Sequence, residues 1–266
     1  MIQWTTEAIV LSADAQGESD LRALSLTRKQ GRLAAVAKGA LRSRKRFIGV
    51  FDPGQVIEAG FMIAPRSGRV MIEHAVAREQ FPRFRESPLR LARACLLLET
   101  ALLLAPESAP APELFDNLRR GLFRLHDEPD SDRWALVYAF RMISALGYRP
   151  GLDCCVRCLA GTLGTKTVFS PAAGGVLCAS CCEHEQAIDS SGTGAAVLEL
   201  SPDASRTLTE VMKVPEARLS RISFTRNALG QAREVLNLFI AHHLPRPSRA
   251  LPFMESLEKR LIAASR

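Results

Sequence analysis

Four cysteines, Cys155, Cys158, Cys178 and Cys181, stand as two Cys-x-x-Cys pairs with nineteen residues between them. A tetrahedral divalent ion takes four soft ligands at about 2.3 Å. Each Cys-x-x-Cys turn aims two thiolates at one point while the segment between doubles back. The spacing predicts one closed zinc site. Such a site leaves no coordination position for water or substrate, so the metal is expected to be structural and the function must be sought elsewhere. Cys154 and Cys182 flank the pairs, so spacing alone leaves a shifted ligand set open. His184 is a further candidate ligand, although a histidine just past such a turn is more often a solvated bystander. Cys95, in the apolar run from Leu91 to Leu98, reads as a small buried hydrophobe.

A chain of 266 residues can bury a sizeable core and divide into two compact units, with the zinc module as an appendage. The start, Met1 to Glu7, has neither the basic nor the apolar region of a secretory leader, which predicts a cytoplasmic protein. A reducing compartment favours thiolates on a metal over disulfides. The most apolar stretch, Ala94 to Ala105, is broken by Glu99 and Thr100 and is too short to span a bilayer. It reads as a buried helix, and no membrane partner is expected.

Net charge is +7, and its distribution is uneven. No acidic residue occurs between Asp20 and Asp52, whereas Arg22, Arg28, Lys29, Arg32, Lys38, Arg42, Arg44, Lys45 and Arg46 fall inside that window. Like charges at this density repel unless a polyanion neutralises them or water solvates the loop. Both readings stay open on charge alone. With aromatics at 6%, a basic face suits sequence-independent backbone binding better than base stacking. Trp4 and Phe47 are candidate stacking rings, with burial in the core the more ordinary role.

Five short β-prone runs, Ala8 to Leu11, Leu21 to Leu26, Arg32 to Ala37, Gln55 to Ala59 and Arg69 to Val76, are punctuated by Gly17, Gly31, Gly54 and Gly68. They predict a small OB-type β-barrel over residues 1–82. From about Ser87 the period becomes helical. Pro88 to Ala105, Ala111 to His126, Ser131 to Gly147, Asp203 to Lys213 and Asn227 to Leu244 read as helices, with a short terminal helix after Pro247. The expected architecture is therefore multi-domain α+β. An all-helical domain over 83–266 follows the barrel, interrupted by a four-cysteine zinc insert at about 150–185.

Enzymatic signatures are scarce. There is no Gly-x-x-x-x-Gly-Lys loop and no Gly-x-Ser-x-Gly elbow, and His184-Glu185 lacks the second histidine of a zincin. His126-Asp127-Glu128 followed by Cys155-x-x-Cys158 mimics the signature of zinc nucleobase deaminases. That reading needs proline where Cys154 stands, and it leaves Cys178 and Cys181 idle. A zinc-ribbon adaptor or transcription module would account for the metal but not for the barrel.

Gly17-Glu18-Ser19-Asp20, Thr27-Arg28-Lys29-Gln30-Gly31-Arg32 and Val36-Ala37-Lys38-Gly39-Ala40, in that order and followed by a basic stretch, resemble the N-terminal domain of the bacterial RecO recombination mediators. Leu146-Gly147-Tyr148-Arg149-Pro150, Cys155-Val156-Arg157-Cys158, Phe169-Ser170-Pro171 and Gly174-Gly175-Val176-Leu177-Cys178 are similar to the zinc segment of that family. Where the family runs Ala-Arg-Arg and, later, Gln-Pro-Phe, this chain has Ala40-Leu41-Arg42 and Phe51-Asp52-Pro53-Gly54, which puts individual contacts at Leu41 and Asp52 in question.

The resemblance implies a non-enzymatic role in DNA repair and homologous recombination. Such proteins bind single- and double-stranded DNA and anneal complementary strands. With RecR they load the RecA recombinase onto strands coated by the single-stranded-DNA-binding protein. It further implies docking of that protein's C-terminal tail, for which an apolar groove on the helical domain is the expected place, and a RecF-type protein as a further candidate partner. No small-molecule substrate is expected. The candidate DNA contacts are Arg28, Lys29, Arg32, Lys38, Arg42, Arg44, Lys45 and Arg46, working at the nucleoid.

Overall fold

The first strand, β1 (Gln3–Gln16), is longer than its apolar run suggests, and its length builds the barrel. Its first half pairs antiparallel with β4 (Val56–Ile63) and its second half with β2 (Asp20–Thr27). A bulge between Val10 and Ser12 bends it at the changeover. β2 continues into β3 (Gly31–Ala37), β4 into β5 (Val70–Glu79), and β3 meets β5 in parallel at Val36 and Met71. The strands close in the order β1-β2-β3-β5-β4, the OB-type barrel expected.

A computed structural model describes residues 2–128, 131–161, 165, 167–188, 197–243 and 246–264. The chain forms two compact units, Met1–Ser131 with Phe253–Arg266, and Asp132–Pro252. In the first, the barrel interior is filled by small residues (Ala8, Ala23, Ala35, Ala37, Ala59, Ala75) interleaved with Phe61, Ile57 and Ile72. This mixture of small and large side chains fits the taper of a narrow barrel. Phe47 and Phe51, with ring centroids 5.4 Å apart, belong to this core, and Trp4 stacks on Phe61 at 5.7 Å. The two candidate stacking rings are thus used in packing. Ile9 is buried between Ala8 and Val10; strand alternation turns it to the outer face, where α1 (Pro88–Leu104) covers β1.

Helix α1 starts as expected, with Pro88 in its first turn and the Ser87 hydroxyl accepting the Arg90 amide at 3.3 Å. It packs on α2 (Pro112–Asp127), and α2 is tied to the barrel by two guanidinium–carboxylate forks. Arg28 donates to both oxygens of Asp116 at 2.9 and 2.6 Å, and Arg119 binds Glu79. The connection between the helices abuts the β2–β3 turn: Arg32 N–H donates to Pro106 O at 2.8 Å and Ala111 N–H to Arg28 O at 3.2 Å. Gly31 is required there twice over. Its φ is +60°, and a Cβ would lie 2.4 Å from the Pro106 and Ala109 carbonyl oxygens.

The second unit is built on α3 (Ser131–Ala145), in which Trp134, Tyr138 and Phe140 are fully buried, with α5 (Pro202–Lys213) and α6 (Arg226–His243). Arg141 closes the C-terminal end of α5, donating to Val211 O at 3.2 Å and Val214 O at 2.9 Å. The unit also holds a sheet that helical periodicity does not announce, with β6 (Thr167–Ser170) between β7 (Gly175–Leu177) and β8 (Leu198–Leu200), followed along the chain from β7 by α4 (Ala179–Ile188). The terminal helix is α7 (Ala250–Ala264). No helix among the described residues is long and apolar enough to cross a membrane.

Candidate nucleic-acid interface and metal centre

Strand direction sorts the basic window into two groups. β2 and β3 are a hairpin, so the turn bearing Arg28 and Lys29 lies at one end of β3 and Lys38 at the other, about 20 Å away at ~3.3 Å per residue. The pairing registers bring the β1–β2 turn (17–19), the start of the β3–β4 connection (38–55) and the β4–β5 loop (64–69) to the Lys38 end.

At the hairpin end the cations are spent. Arg28 holds Asp116 and lies 5.0 Å over the Phe115 ring; Arg32 pairs with Glu107 and donates to Leu102 O at 2.8 Å. Lys29 is exposed. At the loop end Lys38, Arg42, Arg44, Lys45 and Arg46 are all exposed. Arg42 reaches only Glu18, at 3.4 Å between two highly exposed groups, a pairing worth little in water. Lys38, Arg44 and Lys45 have no carboxylate partner among the described residues.

The loop is held in shape by Asp20. Its carboxylate accepts the Gly39 N–H at 2.9 Å and the Ser19 hydroxyl at 3.2 Å, and Leu41 N–H donates to Ser19 O at 3.0 Å. The Gly39 amide, aided by Ser19 and the Lys38 charge against partial desolvation, keeps the Asp20 carboxyl below its ordinary value. Arg46 is fixed by donation to Lys38 O at 3.0 Å and by stacking over Phe47, 5.1 Å from the ring centroid. Leu41 is exposed within this loop, and Asp52 is paired with Arg85, so the two positions that depart from the family pattern offer no cation here.

The fold adds cations that the acid-free window does not contain. Arg66 and Arg69, in the β4–β5 loop, are exposed and have no carboxylate partner among the described residues. Arg69, Lys38 and Arg46 rim a cavity of about 560 Å³ whose lining includes Val36, Met62, Met71 and Ile72. The sequence signal for them is local, two arginines around Ser67-Gly68, and it acquires meaning only when the barrel closes.

In the second unit the two Cys-x-x-Cys pairs converge. The sulfurs of Cys155, Cys158, Cys178 and Cys181 all lie within 4.8 Å of one another, with Cys158 and Cys178 3.7 Å apart. Tetrahedral ligation at ~2.3 Å sets ligand sulfurs about 3.8 Å apart, so the group fits a thiophilic ion. The first turn is closed by Leu159 N–H donating to Cys155 O and by Cys155 N–H donating to Ala160 O, both at 2.9 Å. The second follows β7, with Cys181 in the first turn of α4. Gly175 lets the two segments meet, since a Cβ there would lie 2.2 Å from Gly151 O. Burial opposes ionisation of Cys155, but the backbone amides of Cys158, Cys178 and Arg157 outweigh it and lower the thiol to about 6. Cys178 is also lowered, first by the Ser180 hydroxyl, whereas the neighbouring Cys178 side chain pushes Cys181 up to about 12. Cys182 lies outside that group of sulfurs and packs with Cys155 and Leu177 in an apolar cluster, and Cys154 bridges to Gly161. The His184 side chain lies outside the described residues.

His126 pairs with Asp127 at 2.6 Å and Glu128 with Arg124 at 2.7 Å. Among the described residues no ligand group includes His126; the group found uses both cysteine pairs.

Two family models, recombination protein O N terminal and recombination protein O C terminal, match residues 1–71 and 85–252. The chain belongs to the RecO family of DNA repair proteins. It is 30% identical over 255 residues to the DNA repair protein RecO of Syntrophus aciditrophicus, covering 96% of both chains, and 31% identical over 254 residues to that of Myxococcus xanthus, covering 96% of this chain and 98% of the relative. The RecO of Syntrophobacter fumaroxidans is 38% identical over 153 residues, covering 58% of this chain and 60% of that one. The N-terminal model covers the barrel as far as the start of β5, and the C-terminal one begins just before α1 and runs over the helices and the cysteine site.

Proposed function

We propose that this RecO-family chain is a recombination mediator that binds single- and double-stranded DNA through the loop end of its barrel, anneals complementary strands, and with RecR helps load RecA onto coated single strands. The observation that carries the reading is the concentration there of exposed cations that form no ion pair among the described residues: Lys38, Arg44 and Lys45, joined by Arg66 and Arg69 and flanked by Arg42 and Arg46. A surface that neutralises two phosphate backbones lowers their mutual repulsion, so annealing needs no chemical step and no nucleotide hydrolysis. The protein acts in this reading as a binding module at the cytoplasmic nucleoid and not as an enzyme.

Cys155, Cys158, Cys178 and Cys181 hold one structural zinc ion, which supplies folding energy to the module and no open coordination position. The tail of the single-stranded-DNA-binding protein seats its apolar end in a cavity of about 530 Å³ lined by Phe81, Phe84, Leu91, Ala94 and Leu98. RecR and a RecF-type protein are the further partners.

Salt titration and annealing kinetics test the central claim. With about four to six phosphate contacts, single-strand affinity falls with salt at a log–log slope of roughly −3 to −4. Complementary strands pair faster with the protein than without it, and Glu128→Ala leaves that rate unchanged. Absence of annealing, together with base conversion that depends on Glu128, would replace the mediator by a deaminase. Elemental analysis of reduced protein checks the metal: one equivalent of zinc is expected, and less than about half an equivalent counts against it.

A further inference from the structure

We propose that the cavity at the loop end of the barrel receives one unstacked base of a single DNA strand, while the flanking phosphates lie against Lys38, Arg46 and Arg69. The inference rests on the DNA-binding reading above and deepens it, because surface neutralisation alone asks for no cavity.

The cavity measures about 560 Å³, inside the range of roughly 300 to 1,000 Å³ typical of sites that enclose a small ligand. It opens where the barrel is joined most thinly: β3 and β5 are registered at one residue pair, Val36 and Met71, and both line the cavity. Its apolar lining comes from Val36, Met62, Met71 and Ile72. Two thioethers and branched aliphatic groups, with no aromatic ring among them, make a polarisable surface that lacks a ring partner, and a base face supplies one. The polar edge carries Gln16, Asp20, Ser67 and Glu73, and the Asp20 carboxylate is already engaged by the Gly39 N–H and the Ser19 hydroxyl. Among the described residues Glu73 is engaged by the Gln3 amide at 3.3 and 3.4 Å, and a carboxylate has capacity for more than one donor, such as an exocyclic amino group.

Charge selects the occupant. Lys38, Arg46 and Arg69 stand on the rim against the two carboxylates Asp20 and Glu73, and among the described residues Lys38 and Arg69 form no ion pair. Cations at the mouth with an apolar floor suit a ligand with an anionic backbone and a flat apolar appendage, which describes a single strand. A duplex carries the same phosphates, but its bases are stacked and paired and cannot enter. The cavity therefore separates the two kinds of DNA by shape where the cations treat them alike.

The test uses the full chain and a short oligothymidylate with one central 2-aminopurine, alone and annealed to its complement. On binding the single strand, 2-aminopurine emission is expected to rise as the base leaves its neighbours, and binding of the duplex should leave emission unchanged. Ala64→Leu fills the cavity from its rim, and Ala64 joins the loop's hydrogen bonds only through its backbone, its N–H donating to Arg69 O and its O accepting the Gly68 N–H. It should weaken single-strand binding about three- to tenfold, the loss of the thioether–ring contacts of one base, with the salt slope and duplex affinity retained. Ser67→Leu, from the same loop, repeats the measurement if the first variant folds poorly. If both variants fold, bind single strands as the wild type does and show the wild-type salt slope, and the probe stays dark, base insertion is wrong and the DNA-binding reading stands. If the wild type binds neither form of DNA, both fall.

Discussion

The two ends of strand β3 began as one signal and finish as different surfaces. Arg28 and Arg32 at the hairpin end bind Asp116 and Glu107, partners 88 and 75 residues away in the chain, and thereby fasten the barrel to the α1–α2 pair. Lys38, Arg44 and Lys45 at the loop end form no ion pair among the described residues. Density of charge along a sequence therefore says little about use. What decides is whether the fold brings an acid to each cation, and an acid-free window is silent about acids that arrive from much later in the chain.

Replacing Lys38, Arg42, Arg44, Lys45 and Arg46 together by alanine should have the largest effect. Each lost phosphate contact removes about 0.7 from the single-strand salt slope, so affinity at moderate salt should drop by roughly two to three orders of magnitude and the slope should flatten to what Arg66 and Arg69 still supply. Thermal stability should change little, since these side chains are exposed. A folded five-alanine variant with wild-type affinity and slope would make the loop a solvated segment and dissolve the contrast.

Arg28→Ala should give the opposite pattern. The fork to Asp116 and the stacking on Phe115 are both lost, and an acid is left without its partner beside the barrel. A cost of about 1 to 2 kcal/mol in unfolding free energy is expected, with the salt slope intact. Denaturant titration with a DNA titration on the same sample separates the two quantities. A flattened slope at unchanged stability would move Arg28 to the DNA-binding group.

Asp20 supplies a subtler difference, because it shapes the loop end without touching a phosphate. Its native carboxyl titrates below the ordinary 3.8, so its stabilisation of the Gly39 turn is complete above that value and is lost as pH falls through the lower native one. Slow exchange of the Gly39 amide should persist from neutral pH to about pH 4 and disappear below it. Asp20→Asn should remove this pH dependence and weaken single-strand binding about threefold by loosening the loop. Unaltered Gly39 exchange in the variant would show that Ser19 and the backbone suffice.

How much of this was legible in the residues depends on the range of the forces involved. The five barrel strands follow from glycine punctuation and β-prone runs, and the main helices from period and caps such as Ser87-Pro88, because those signals are local. The cysteine quartet is legible for the same reason: two three-bond turns preselect Cys155 and Cys158, Cys178 and Cys181, and the structure brings these four sulfurs together. The small sheet escapes, since β6, β7 and β8 are three or four residues long and β8 lies well beyond the others along the chain. Alternation cannot register in so few positions. Arg66 and Arg69 escape because their place beside Lys38 is made by barrel closure, and Leu159, at φ +59° just after Cys158, shows a strained position that composition does not reveal.

The smallest expected effect belongs to Lys29, and it is the sharpest probe of where the boundary between the surfaces runs. It sits between Arg28 and Arg32 in sequence, is exposed, and lies on the hairpin turn with no partner among the described residues. On charge and exposure it matches Lys38; on position it belongs to the opposite end of β3. If position in the barrel governs DNA contact, Lys29→Ala should leave single-strand affinity within about twofold, the salt slope unchanged and stability within about 0.5 kcal/mol. If exposure alone governs it, the slope should fall by about 0.7, as for any lost phosphate contact. Salt titrations of Lys29→Ala and Lys38→Ala side by side decide between the two, and equal losses would extend the DNA path along the full length of β3.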